Sequence, residues 1–124
     1  MTEDAQIEEL AQIAAQINEH ADQLNEKIEA FEERLKKTHL GIVVWIPLAG
    51  LPGRPARMGY MRFGNVWRVM VEITLEDGRT ALQPLVKMSR VLRLEAWDRL
   101  PELIPALKQA ALAMDRRLEE ILAP

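Results

Sequence analysis

Two histidines, one serine and no cysteine are the residues of this chain that most often do nucleophilic or metal chemistry. None sits in a pattern that such chemistry needs. His20 falls on the flank of a helical stripe and His39 near a helix end, without a His or Asp partner at metal-ligand spacing. Ser89 has no legible base or oxyanion arrangement, and its place before Val91, Leu92 and Leu94 suits a helix N-cap. The carboxylate pairs Glu8-Glu9 and Glu32-Glu33 read as a solvated helix face, because acid–base work needs them recessed in a cleft. No HExxH, GxSxG, P-loop or GxGxxG occurs. We therefore expect no enzymatic activity, no cofactor and no metal.

Binding chemistry is better represented. Arg54 and Arg57 lie on a Gly/Pro-rich loop, and Arg62 and Arg68 stand among Tyr60, Phe63 and Trp67. Arginines and aromatics on a strand pair can hold a nucleic-acid backbone and stack bases, and Lys87, Arg90 and Arg93 could add phosphate contacts. The segment 54–93 has eight basic and three acidic residues, a net of +5. Opposing it, residues 1–35 have ten acidic and two basic residues, a net of −8, with Glu8, Glu19, Asp22, Glu26, Glu29 and Glu33 off the apolar stripe. That surface suits a basic partner or mimicry of nucleic acid. The two halves also suit mutual charge matching within or between chains. The whole chain is acidic, at −3, unlike most DNA-binding proteins.

These residues are positioned by three kinds of element. The first is a helix over 2–37, opened by Thr2 with Glu3 and Asp4, and stopped at Gly41. Ile7, Leu10, Ala14, Ile17, Ala21, Leu24, Ile28, Phe31 and Leu35 recur by threes and fours, an a/d seam for packing against another helix. With Ile7 at a, the e positions are Asp4, Ala11, Asn18, Asn25 and Glu32. The g positions are Gln6, Ile13, His20, Lys27 and Arg34. Ala11 and Ile13 widen the stripe enough to admit a bundle of three or four helices as well as a two-stranded coil. Among its residues, Ile7, Leu10, Ile17, Leu24, Ile28, Phe31 and Leu35 are the expected oligomer interface.

The second is a β section over 40–87. Leu40–Leu48 is β-branched and apolar, with Pro47 ending it or placing it at a sheet edge. Ala49–Ala56 is a loop. Met58–Phe63 and Val66–Leu75 flank the II′ hairpin signal Gly64-Asn65, and Asp77-Gly78 turns into Arg79–Val86. Trp67, Val69, Val71, Ile73 and Leu75 share the core face, and Arg68, Met70, Glu72 and Thr74 the other. The third is a helical segment over 89–123, broken near Leu100 by Pro101. Pro105 either bends its second helix or starts it. Ile104, Leu107, Ala111, Met114, Leu118 and Ile121 form a second seam.

Together these give one α+β domain over 1–124: a heptad-patterned helix, a four-stranded antiparallel meander and a C-terminal helical segment, packed as a homo-oligomeric helical bundle, most simply a dimer. The order helix, hairpins, helix resembles in layout alone that of prefoldin-like chaperone subunits, with no shared motif and a shorter C-terminal helix. That resemblance implies paired terminal helices above a β platform. No secretion signal precedes the acidic opening, and the apolar run 40–51 is too short to cross a bilayer, so a cytoplasmic protein is expected. The expected function is non-enzymatic: an adaptor or regulator that associates with itself and binds a macromolecular partner.

Overall fold

A threonine hydroxyl opens the first element. In the computed structural model, which describes residues 2–49 and 54–124, Thr2 Oγ1 accepts the Ala5 amide at 3.2 Å and α1 runs over Glu3–Lys36. Its stop residue differs from the expected Gly41. Thr38 donates its hydroxyl to the Leu35 carbonyl at 2.6 Å, and His39 already adopts a positive φ of 55°. The helix itself ends within a residue of the expected bound, and the left-handed residue that follows it is His39, two positions before Gly41. Gly41, with φ 59°, makes a second reversal.

That reversal shortens the first strand. β1 covers only Val44–Leu48, although Ile42 before it is buried. β2 (Ala56–Phe63) starts two residues earlier than the sequence suggests, because Ala56 pairs with Leu48. The expected loop between them lies partly outside the described residues. β2 joins β3 (Val66–Thr74) through Gly64-Asn65, where Gly64 alone takes a positive φ, as a II′ hairpin requires. β4 (Thr80–Pro84) follows the Asp77-Gly78 turn. It stops at Pro84, whose nitrogen faces away from β3, and Leu85–Lys87 close into a 3-10 turn. The sheet order β1-β2-β3-β4 is the expected antiparallel meander, with Pro47 on its edge strand.

One sheet face carries the core. Ile46 and Leu48, Met58 and Tyr60, and Val69 and Val71 meet Ile28 of α1 and Leu85 of the 3-10 turn. Ser89 caps α2 (Arg90–Arg99), its Oγ accepting the Leu92 amide at 3.3 Å. Pro101 sits in a 3-10 turn, Leu100–Glu102, and α3 runs over Leu103–Leu122. Pro105 lies in the first turn of α3, where its missing N–H has no helical partner to lose. Ala96, Leu100, Leu103 and Leu107 complete the core.

The α2–α3 segment follows α1 in the same sense. Arg90 and Arg93 bond to Asn18 and Asn25. Further along, Leu35 and Thr38 share a pocket with Ile104, Leu107 and Lys108. The first half of α1 therefore leaves the body before α2 begins, and the second half of α3 leaves it past the end of α1. Within the chain, these free halves do not form the paired coil that the prefoldin-like layout implies. Among the described residues, no helix is long and apolar enough to cross a membrane.

The outer sheet face departs from simple alternation at Met70, which is fully buried there. Its neighbours in register are Gly59 and Pro84, and Gly59 is in turn paired with Trp45. The Trp45 indole lies over Gly59 and Arg57 stacks on the ring at 4.0 Å from its centroid, so this face holds a small apolar cluster of its own. A Cβ on Gly59 would come within 2.4 Å of the Val44 carbonyl oxygen and 2.6 Å of the indole. Gly59→Ala should therefore lower stability by about 1–3 kcal/mol in denaturant unfolding. An unchanged midpoint would show that β1 yields without cost.

Candidate functional site

α1 meets the body through a polar row with a spacing of seven. Asn18 Oδ1 accepts from Arg90 at 3.3 Å, and Asn25 Oδ1 accepts from Arg93 at 2.7 Å. Glu32 Oε2 accepts the Val69 amide at 2.7 Å. These are three successive e positions of the heptad register, here serving contacts within one chain. The Glu32 bond has a clear cause. β4 ends opposite Met70, so Val69 lies beyond the last β3–β4 pair, and the carboxylate takes an amide that no strand covers.

Glu32 is 4% exposed, and Arg68 approaches it at 3.7 Å. Burial pushes its carboxyl above the ordinary range, against the lowering effects of the Val69 bond, Arg68 and Lys36. Burial likewise raises Tyr60, whose ring lies 5.3 Å from Trp67. Arg93 is also buried. It bonds to Asn25 and to the Ala21 carbonyl, but its Nε has no partner, and among the described residues no carboxylate lies within 4 Å. Beside it opens an apolar cleft of about 220 Å³ lined by Ile17, His20, Ala21, Leu24, Arg90 and Leu94.

The expected interface residues divide along α1. Ile28 is fully buried in the chain's own core, and Leu24, Phe31 and Leu35 are half-buried against it. Ile7, Leu10 and Ile17 are uncovered, Leu10 to 63%, and Ile13 beside them is exposed too. On α3, Leu107 belongs to the core, whereas Met114, Leu118 and Ile121 are uncovered, Ile121 to 62%. Each end of the body thus has an amphipathic half-helix with an open apolar row. Isolated apolar side chains on a surface are ordinary, but two continuous rows are not.

The basic residues are dispersed and largely engaged. Arg54 pairs with Glu76 and Arg57 with Glu72, both at 2.9 Å. Arg68 faces Glu32, and Arg62 donates to the Gly64 carbonyl at 3.1 Å. Arg57 and Arg62 lie five residues apart on β2, roughly 17 Å, and on opposite faces. Lys87, in the 3-10 turn, is exposed beyond β4, and Arg90 is held by Asn18. The acidic residues Glu8, Glu19, Asp22, Glu26, Glu29 and Glu33 are all exposed along α1. His20 lines the α1–α2 cleft, and His39 lies beside a shallow pocket with Tyr60 and Trp67. Among the described residues no cluster of three potential metal ligands occurs. The roles of Asn18, Asn25 and Glu32 escape a reading centred on a and d positions. Their signal was three hydrogen-bonding residues recurring every seven on one flank.

No protein family, curated protein or solved structure matches this chain.

The raised pKa of Glu32 has a direction that can be measured. The folded chain holds this proton more tightly than the unfolded one. The stability it contributes is therefore fullest below the ordinary value of 4.5 and is lost as pH rises through the raised value. Glu32→Gln retains an oxygen for the Val69 amide and never ionises. Its stability relative to the wild type should be most favourable near pH 8 and should shrink on acidification, as read by urea unfolding at each pH. A relative stability that improves on acidification would contradict the assignment.

Proposed function

We propose that this protein is a non-enzymatic, self-associating interaction protein, a homodimer in its simplest form, that acts as an adaptor or regulator through its surfaces. The observation that carries this reading is the pair of open apolar rows, on the first half of α1 and the second half of α3. Such rows in water favour burial at about 25 cal/mol per Å² of apolar surface, and a second copy offers the same rows in return. The single-chain core is concentrated where α1 and α3 cross the sheet. Association would extend that core along both helices.

The basic residues support this reading over one based on nucleic acid. Arg54, Arg57 and Arg68 face carboxylates within the chain, and an arginine so engaged has less to gain from a phosphate. The acidic side of α1 stays outside the open apolar row and would remain solvated in an assembly, available to a basic partner.

The test is molar mass in solution. The wild type should sediment above the mass of one chain and dissociate on dilution. Leu10→Glu and Leu118→Glu should each return it to a single chain that still folds, because both positions are exposed in one chain, and should lower the unfolding midpoint towards that of the diluted wild type. A wild type that is a single chain at every concentration would overturn the reading.

A further inference from the structure

The open row of α1 fits that of α3 better than it fits a parallel copy of itself. Forward along α1, Ile7, Leu10, Ala14 and Ile17 are separated by three, four and three residues. Backward along α3, Ile121, Leu118, Met114 and Ala111 are separated by three, four and three. Laid antiparallel, they give four layers: Ile7 on Ile121, Leu10 on Leu118, Ala14 on Met114 and Ile17 on Ala111. In each layer an a position faces a d position, as antiparallel coils require. In the last two layers, those nearest the bodies, a small side chain faces a large one, which fills space without a void. A parallel pair of α1 helices would instead set Ala14 on Ala14 and leave a gap.

Charge points the same way. From Glu3 to His20, α1 has five acidic residues and no Lys or Arg. Two such halves side by side repel each other. From Ala111 to Leu122, α3 has two basic and three acidic residues, so it places a net of only −1 beside α1.

Resting on the proposed self-association, we infer that two copies pair as a closed, two-fold dimer in which α1 of each lies antiparallel against α3 of the other. The fold allows both contacts to form together. α1 and α3 run in the same sense and project from opposite ends of the body. A second copy turned end over end therefore brings its α3 antiparallel to the first α1, and its α1 antiparallel to the first α3. A head-to-tail copy, not turned over, would pair the same helices in parallel and propagate as an open chain. The antiparallel register thus selects closure. Leu107 stays in its own core, so the paired length ends at Ala111, and the four layers span roughly 15 Å of helix.

The chain has no cysteine, so introduced thiols report without background. Ala14→Cys and Met114→Cys occupy one layer of the inferred pairing. Under mild oxidation, an equimolar mixture of the two single variants should give a covalent dimer joining one of each, and each variant alone should stay unlinked. The double variant should stop at a covalent dimer. A ladder of higher oligomers, a disulfide within one chain, or efficient linking of Ala14→Cys with itself would overturn the inference. Sedimentation of the same samples under reducing conditions separates the two levels. A dimeric mass without cross-links refutes this pairing alone, and a single-chain mass refutes self-association as well.

Discussion

The bond from the Val69 amide to the Glu32 carboxylate sets the orientation of everything attached to α1. A helix lying on a sheet through apolar contacts alone can rotate a little about its axis, because dispersion contacts have little directional preference. A carboxylate seated on one backbone amide allows no such freedom. With Glu32 held there, the same flank brings Asn25 to Arg93 and Asn18 to Arg90. The neighbouring a/d stripe is then fixed in direction along its whole length, over the core at Ile28 and open at Ile7 and Leu10. The open row continues the buried one.

Such a polar anchor costs desolvation, visible in the direction of the Glu32 shift. It gives a defined register in return, a use of buried polar groups familiar from coiled coils. The Arg93 contact is similar in kind. It supplies two acceptors to one nitrogen of a buried guanidinium and leaves the buried Nε without a partner. One anchor joins α1 to β3 and the other joins it to α2, so they fasten distant segments of sequence to each other.

Much of the fold was legible because its signals are local. Thr2 and Ser89 are caps read directly from residue type, Gly64-Asn65 is a turn set by backbone freedom, and the strand order follows from hairpins too short to cross over. The misreadings arose where a distant residue decides. Buried Met70 lies in one cross-strand row with Pro84, Gly59 and Trp45, residues of the other three strands, and no pattern within β3 reveals it. A local detail was missed as well: after Thr38 bonds the Leu35 carbonyl, the first left-handed residue is His39 rather than Gly41. The heptad seam was legible as a stripe, but which half of it the chain covers depends on where β3, α2 and α3 fall along it. The polar row at Asn18, Asn25 and Glu32 was present as a spacing, yet its partners come from segments thirty-seven or more residues away.

The two prolines at the margins of the sheet have a further consequence. Pro47 sits within β1 and Pro84 closes β4, the two outermost strands, and Arg99 occupies the Pro47 carbonyl. A strand border normally invites an incoming strand, the first step towards cross-β stacking and amyloid. Here each border lacks an amide where an intruder would look for one. The sheet is thus a terminated template, and any growth of this molecule into larger assemblies is channelled away from backbone ladders towards side-chain interdigitation between helices.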